Sequence, residues 1–494
     1  MRVDFELPQA SERFVYAANP AGGTVSIIDA ESLSIQTLET GSRPTFLRTL
    51  AGTDDAIVLN AGSDDATIMR DPASGARTST VDVVDGANAI AVSPDGKHAV
   101  VYFDSAFRTA DGGSGSFQDV TVISLDPAGD SATDMTVGFR PRAVAFSEDG
   151  TTGYVVTEDG VSVLDFEAVV SEGTGIAQLI SLGENIDQES LDVSITPDGR
   201  HALTRQPGEP VLRLVDLQDG SLTTLGLGGL LADDSGGSGD EDAGVADLPV
   251  EVTDLDLSPD GTFALAVLRN QSAVLRIPVP SGFSDPGSIE VIDVEGELIG
   301  SVSIAPAGDR ALLYTTAIAA ERITVLPLSG DAEHETVALR KAVQAVSIAP
   351  DGETAVIVHA RTEGDPNEPG IDPDLQIDRS FGYSLLRIGS GDVKLQVTET
   401  EPGTITLVPD GSFVFILFRD DGLVVREVQQ IETKSFLVEP IQLGSPPVSL
   451  GAVPQSERVF VGQEHPDGRI TFIDWKTSET QTVTGFELNS RIRD

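Results

Sequence analysis

The chain of 494 residues contains no cysteine, which excludes disulfide bonds, thiolate metal sites and a cysteine nucleophile. Positive charge is also scarce, because 31 lysines and arginines face 79 aspartates and glutamates, giving a formal net charge of −48. Long-range repulsion from such an acidic surface argues against nucleic acid or an anionic membrane surface as a partner.

Long apolar runs and helical patterns are missing as well. No stretch reaches the roughly 18 apolar residues of a membrane-spanning helix, so none is predicted. The one helical candidate is Phe166 to Val170, a single turn at most. The sequence also lacks the G-x-S-x-G, H-E-x-x-H and phosphate-binding glycine-loop motifs. We therefore favour a non-catalytic protein over an enzyme.

The chain is instead rich in turns that connect short apolar strands. Ser93-Pro94-Asp95-Gly96 stands between Ala89–Val92 and the apolar run 99–103. Proline presets the first corner of such a turn and glycine takes the left-handed position, which closes an antiparallel hairpin. About ten related turns recur at spacings of roughly 40–60 residues, near the period of a propeller blade. They lie at 10–13, 52–55, 93–96, 147–150, 196–199, 258–261, 306–309, 350–352, 409–411 and 454–457.

Each repeat contains four short strands, which we call a to d. The first unit has them at 2–7, 14–18, 24–29 and 34–39, and the last unit ends on the same phase. The pattern predicts an all-β propeller of four-stranded antiparallel blades. The simplest arrangement is a single propeller over 1–494 with about ten units. A seven- or eight-bladed ring with irregular extra repeats, or two smaller propellers, are the alternatives. The predicted units are 1–40, 41–84, 85–138, 139–183, 184–226, 250–294, 295–339, 340–400, 401–444 and 445–489, with an acidic Gly/Ser-rich insertion at 227–249.

Several repeats resemble the YVTN family of β-propeller repeats. The resemblance is clearest in Phe14-Val15-Tyr16-Ala17-Ala18-Asn19, and in Arg140 to Gly150 followed by Tyr154-Val155-Val156-Thr157. It spans nearly the whole chain and implies a propeller of a kind common on exported or cell-surface proteins. We therefore expect an extracytoplasmic protein (periplasmic, cell-surface or secreted) whose leader is absent from this sequence. The family motif carries no catalytic residues, but related propellers resemble lactonases. A lactonase- or hydrolase-like enzyme is thus the alternative.

Three insertions interrupt the repeats, at 104–119, 226–249 and 361–380. In an antiparallel blade the b–c and d–a loops emerge at the same end, so all three are predicted on one face. Binding residues often lie on loops held by a rigid scaffold. We predict that this face engages a protein or a glycan, or else belongs to a surface assembly as a structural component. The candidate anchors are Phe107, Phe117, Phe381 and Tyr383.

Cations recur in the d–a loops. Arg43 and Arg140 both precede a proline, and Arg142 and Lys341 lie at similar blade positions. Around the mouth of a propeller these side chains are suited to an anionic ligand. The alternative is that they neutralise neighbouring carboxylates.

Acidic residues suggest two further hypotheses. The insertion at 361–380 concentrates hard oxygen ligands that would suit Ca²⁺, although a solvated acidic loop is the simpler interpretation and no other cofactor is predicted. These residues are Asp365, Asn367, Asp372, Asp374 and Asp378. Asp254 and Asp256 lie on an inner strand, so we expect them to form inter-blade hydrogen bonds or to line a channel.

Overall fold

The computed structural model describes residues 6–106, 115–173, 175–183, 191–230, 250–294, 296–329, 333–419 and 425–486. The described strands form ten sheets, each built on four consecutive antiparallel strands. These sheets are the blades of a ten-bladed β-propeller, which confirms the predicted fold class and blade count. The chain divides into two compact units, one of Met1–Ile180 with Thr400–Asp494 and one of Ser181–Glu399.

The first unit contains blades 1 to 4 and blades 9 and 10. Blade 1 has β1 (Gln9–Ala10), β2 (Phe14–Asn19), β3 (Thr24–Asp29) and β4 (Ile35–Glu39). Blade 2 has β5 (Pro44–Thr49), β6 (Ala56–Asn60), β7 (Asp65–Arg70) and β8 (Arg77–Asp82). Blade 3 has β9 (Ala89–Val92), β10 (His98–Tyr102), β11 (Asp119–Ser124) and β12 (Ser131–Thr136). Blade 4 has β13 (Ala143–Phe146), β14 (Thr152–Thr157), β15 (Gly160–Asp165) and β17 (Gln178–Ile180), whereas β16 (Gly175–Ile176) pairs in parallel with β12 of blade 3.

The second unit contains blades 5 to 8. Blade 5 has β18 (Asp192–Ile195), β19 (His201–Arg205), β20 (Val211–Asp216) and β21 (Leu222–Gly226). Blade 6 has β22 (Asp254–Leu257), β23 (Phe263–Leu268), β24 (Ala273–Pro278) and β25 (Glu290–Asp293). Blade 7 has β26 (Ser301–Ile304), β27 (Arg310–Tyr314), β28 (Arg322–Pro327) and β29 (Glu335–Ala338). Blade 8 has β30 (Val343–Ile348), β31 (Thr354–His359), β32 (Phe381–Arg387) and β33 (Asp392–Thr398).

Blades 9 and 10, in the first unit, complete the set. Blade 9 has β34 (Glu401–Leu407), β35 (Phe413–Arg419), β36 (Glu427–Glu432) and β37 (Leu437–Gln442). Blade 10 has β38 (Pro447–Val453), β39 (Arg458–Gln463), β40 (Arg469–Asp474) and β41 (Thr480–Thr484). Blade 10 packs on blade 1 through Phe460 and Phe472 against Val15 and Ala17. Among the described strands, neither blade borrows one from the other, as the sequence pattern predicts.

Helices are short in the described residues. They are α1 (Phe166–Glu172), α2 (Ser281–Ser284) and α3 (Pro373–Arg379), with single 3-10 turns at Pro72–Ser74, Leu227–Gly229, Arg269–Gln271, Pro286–Ser288 and Pro454–Ser456. The helix α1 is longer than the single turn expected from the sequence, because Asp165 caps its N-terminus by accepting from the Ala168 N–H. No helix in these residues is long and apolar enough to cross a membrane.

The a–b turns form as their residues predict. In blade 3 the Asp95 carboxylate accepts from the Ser93 hydroxyl at 2.6 Å and from the Lys97 N–H at 3.1 Å. The Ser93 hydroxyl accepts in turn from the His98 N–H at 3.0 Å, and Gly96 takes a φ of 69°. The same serine or threonine, aspartate and glycine arrangement recurs at 147–150, 196–199 and 258–261.

Apolar side chains on strands a to d pack between neighbouring blades. Five buried clusters join successive blades of the first unit, and three join those of the second. Between blades 6 and 7 the carboxylates of Asp254 and Asp256 accept from the backbone N–H groups of Val302 and Ile304, at 2.9 and 2.8 Å. The predicted inter-blade role of these two aspartates is therefore confirmed.

Candidate functional site

The b–c insertion of blade 3 returns closely onto its own blade. An added Cβ at Gly115 would lie 2.7 Å from Phe103 and 2.9 Å from the Gly86 carbonyl oxygen. Only glycine avoids that overlap, so the insertion can pass directly over the Phe103 ring. Two residues later, Phe117 packs edge-on against Phe103, with ring centroids 5.6 Å apart and an interplanar angle of 87°. The insertion thereby holds Phe117 at the surface of the blade.

The d–a loop from blade 3 to blade 4 brings a second phenylalanine to the same place. Phe139 and Phe117 have ring centroids 5.9 Å apart. The next residue, Arg140, adopts a φ of 52° and donates its backbone N–H to the Phe117 carbonyl at 2.7 Å. Its guanidinium carbon lies 5.1 Å from the Phe139 centroid and 5.8 Å from that of Phe117. We call Phe117, Phe139 and Arg140 the aromatic patch.

The b–c hairpin of blade 4 fixes this patch from the other side. The Glu158 carboxylate accepts from Arg140 Nη1 at 3.2 Å and from Arg142 Nη2 at 3.0 Å. The Glu158 N–H donates to the Phe139 carbonyl at 2.8 Å, and the Phe139 N–H donates to the Asp159 carboxylate at 2.7 Å. Arg140 and Arg142 therefore share one carboxylate, which supports the alternative that these cations neutralise acidic neighbours.

Exposure gives the aromatic patch its chemical character. Phe117 and Phe139 keep 37% and 36% of their surface accessible, and the Arg140 side chain keeps 40%. Aromatic and arginine side chains are enriched in protein interfaces because they bring large contact area and hydrogen-bond donors together. The patch thus offers two apolar rings beside a cation, on an element fixed by backbone hydrogen bonds.

The other predicted binding residues differ from one another in burial and in the element that carries them. Phe381 is half-buried on blade 8, with the Arg361 guanidinium 4.2 Å from its ring centroid. Tyr383 has 0% exposure, so its assignment as a surface anchor is wrong: the alternation of β32 directs it into the blade packing. Phe107 lies outside the described residues. Arg43, exposed with a φ of 54°, lies in the d–a loop between blades 1 and 2.

Lys341 does not face a ligand. It is only 2% exposed, and its ammonium donates to the carbonyls of Ile377 at 2.6 Å and Asp378 at 3.1 Å. The two carbonyls lie in the last turn of α3, where a cation is favoured. Burial lowers the pKa of this ammonium, and the charge of Asp378 opposes the effect. Lys341 therefore anchors the insertion at 361–380, and its assignment to an anion site is wrong.

The proposed calcium ligands are used within the insertion itself. Asp365 accepts from the Asn367 N–H at 2.8 Å, Asp372 caps α3, and Asp374 pairs with Arg340. Asp378 contributes its backbone carbonyl to Lys341. Within the described ranges no group of three or more histidine, cysteine, aspartate or glutamate side chains is placed to hold a metal ion. The described carboxylates of this loop are thus engaged in separate contacts, and the Ca²⁺ site stays a prediction.

A buried polar latch beneath the b–c loops was not predicted. In blade 8, His359 Nε2 lies 2.7 Å from the Ser384 hydroxyl, and Nδ1 lies 3.1 Å from the Ala342 carbonyl oxygen of the incoming d–a loop. In blade 10, Gln463 donates to the Thr471 hydroxyl at 2.5 Å and accepts from the Ser445 N–H at 3.1 Å. The recurrence of a polar residue at the end of strand b is the sequence signal for this latch. His359 and Gln463 are both buried, so we assign the latch the role of holding the loop.

Comparisons with solved structures give distant similarities. No protein-family model matches the chain, and no curated protein matches it. A eukaryotic initiation factor has a TM-score of 0.49 at 12% identity, covering 81% of this chain and 88% of its own. Dihydro-heme d1 dehydrogenase NirN in complex with DHE has a TM-score of 0.43 at 15% identity, covering 74% and 71%. A candidate 6-phosphogluconolactonase from Bacteroides uniformis has a TM-score of 0.34 at 14% identity, covering 81% and 96%.

Proposed function

We propose that this chain is a non-catalytic, extracytoplasmic binding or scaffold protein of the YVTN-repeat type, which engages a partner through the aromatic patch. The carrying observation is the exposed pair Phe117 and Phe139 with Arg140 stacked over both rings. Two loops from adjacent blades meet there, so the patch is pre-organised, and pre-organisation lowers the entropic cost of binding.

The chemistry of the patch favours a protein over a glycan. Both rings are phenylalanines, which present an apolar surface without a hydroxyl or indole donor for sugar hydroxyl groups. Arg140 supplies the directional donor, and a carboxylate of the partner is its natural acceptor. We therefore infer a partner surface that carries an apolar pocket beside an acidic side chain. A glycan partner is the competing outcome.

Affinity capture with three versions of the protein tests this proposal. The bait is wild type, the double variant Phe117→Ala/Phe139→Ala, or the control Val397→Ala/Leu437→Ala, whose residues are exposed apolar side chains on outer strands. We expect a protein that wild type and control retain and the double variant loses, with binding reproduced by the purified partner. Retention of every partner by the double variant contradicts the proposal, as does variant-sensitive binding found only on a glycan array.

A further inference from the structure

An unpaired stretch of sheet edge runs along the outside of blade 3, away from the aromatic patch. The outer strand β12 pairs with β11 along its full length. On its other edge, the described strand β16 pairs only with Met135 and Thr136. Ser131, Ala132 and Asp134 are exposed beyond that pairing. An exposed edge of this kind is a template for adding another strand.

The directions of the hydrogen bonds along β12 show which groups face outward. The Val137 N–H donates to Gln118 on β11 at 2.7 Å, whereas the Thr136 carbonyl accepts from the Ala177 N–H at 2.9 Å on the outer side. Backbone groups in an antiparallel strand alternate in direction with a period of two. The backbone groups of Asp134 and Ala132 therefore point outward, in line with the Thr136 carbonyl. The parallel pairing of Met135 with Gly175 already uses the Asp134 carbonyl, so the Asp134 N–H and both backbone groups of Ala132 lie beyond β16.

A groove of about 550 Å³ lies along this edge. One wall is β12 from Ser131 to Asp134 with the preceding Asp130, and the other is Thr80–Asp82 of β8 in blade 2. Gly173 also lines the groove. The volume falls in the range of ligand sites, roughly 300–1,000 Å³. Four residues of β12 offer about 13 Å of edge, at roughly 3.3 Å for each residue. The groove is thus suited to a short extended segment.

Carboxylates determine the charge of the segment that this groove accepts. Asp82, Asp130 and Asp134 all line it. Arg70 pairs with Asp130 at 2.5 Å but also with Asp55 at 3.2 Å. The Asp134 carboxylate accepts from a neutral donor, the Thr121 hydroxyl, at 2.7 Å. Negative charge therefore exceeds positive charge along the groove, and a cationic side chain on the incoming segment is favoured.

We propose that the groove between the outer strands of blades 2 and 3 binds an extended basic peptide, which adds to β12 as a strand in line with β16. Backbone hydrogen bonds to Ala132 and Asp134 give the affinity, and lysine or arginine side chains facing Asp82 and Asp134 give the preference. This groove is a second interaction surface, separate from the aromatic patch and independent of the function proposed for it.

A fluorescent, acetylated hexapeptide of alternating lysine and valine is the probe, measured by fluorescence anisotropy on the full chain. We expect wild type to bind it with a Kd below about 1 mM, more weakly at high salt because charge pairs are screened. The same peptide with its four central amides N-methylated keeps every charge but loses those four backbone donors. It should bind at least about tenfold more weakly. Equal binding of the two peptides, or no binding of either, overturns the proposal.

Two variants locate the binding. Ala132→Pro removes an outward N–H without breaking the pairing with β11, and should weaken binding at least about tenfold. Its matched control is Ala338→Pro at the end of β29. The Leu339 N–H donates inward to Glu321, so the N–H of Ala338 before it points outward, as in Ala132. Phe117→Ala/Phe139→Ala should leave peptide binding unchanged, which separates this proposal from the proposed function. Unchanged binding by a folded Ala132→Pro protein contradicts strand addition. If that variant does not fold, hydrogen exchange of wild type gives the test: the bound peptide should slow exchange at the Ala132 and Asp134 amides, and unchanged exchange there contradicts strand addition.

Discussion

The carboxylate of Asp254 accepts the backbone N–H of Val302 at 2.9 Å, which ties the inner strand of blade 6 to that of blade 7. Asp256 and Ile304 repeat the bond two residues further along at 2.8 Å. The inner strands of different blades do not pair with each other through backbone hydrogen bonds. Here an aspartate side chain supplies the acceptor instead. Two backbone N–H groups on the inner strand of blade 7 are thereby satisfied without joining the two sheets.

Replacing Asp256 with asparagine tests the cost of this arrangement. Burial raises the pKa of Asp256, although the Ile304 N–H works in the opposite direction. A raised pKa in the folded state means that stability is present below the ordinary value and lost as pH rises through the folded value. Asp256→Asn keeps the acceptor without the charge, so we expect equal or higher stability than wild type at pH 7. Urea unfolding at pH 7 and pH 4 measures the free energy of unfolding of both proteins. The prediction is contradicted if the variant compares less favourably with wild type at pH 7 than at pH 4.

The His359 latch gives a pH dependence of the opposite sign. Burial lowers the pKa of His359 from 6.5 to about 4. The unfolded chain therefore binds more protons between these values, and the free energy of unfolding rises with pH across that window. Gln463 occupies the same latch in blade 10, so His359→Gln should preserve the bonds and flatten this slope. The difference is on the order of 2–3 kcal/mol over the window. If the free energy of unfolding has the same slope with pH in variant and wild type from pH 4 to pH 6.5, His359 is not a buried neutral histidine.

The glycine of the Pro-Asp-Gly turn carries both a backbone and a packing requirement. Gly261 has a φ of 71°, and an added Cβ would lie 2.7 Å from Pro197 Cδ of the preceding blade. Gly52 has a similar φ of 70° with nothing within 4 Å. Gly52→Ala should cost about 1–2 kcal/mol from the left-handed conformation alone, and Gly261→Ala should cost more. Equal losses in thermal unfolding would show that the turns do not pack on one another.

Gly115 controls the aromatic patch through close packing. Gly115→Ala places a methyl group against Phe103, so the insertion must move and carry Phe117 away from Phe139. We expect partner affinity to fall about tenfold or more, while the melting temperature changes little because long surface loops contribute little stability. Gly129→Ala, in an exposed turn of the same blade with nothing within 4 Å, is the control. Full affinity in Gly115→Ala would remove the insertion from the binding site.

Local turn chemistry explains why the fold was predictable. Ser93 to Gly96 and its relatives specify a hairpin from four residues, and ten such hairpins determine the number of blades. Contacts between residues that are distant in sequence were not predictable in this way. The pairing of Phe117 with Phe139 depends on where the insertion returns, and no local pattern marks Phe139 as its neighbour.

The same distinction explains the wrong assignments. Lys341 resembles Arg43 and Arg140 in blade position, but it lacks the following proline and buries its stem so that the ammonium meets the end of α3. Tyr383 follows closely after an insertion, yet the alternation of side chains along β32 directs its ring inward. Charge and position in sequence do not reveal whether a long side chain points into water or into the protein.

Hydrogen exchange of the protein bound to its captured partner tests the central claim most directly. We expect slowed exchange at 115–119 and 137–142, the segments that carry Phe117, Phe139 and Arg140, with little change at Leu437 and its strand. Protection confined to other segments, with the aromatic patch exchanging as in the free protein, would contradict it.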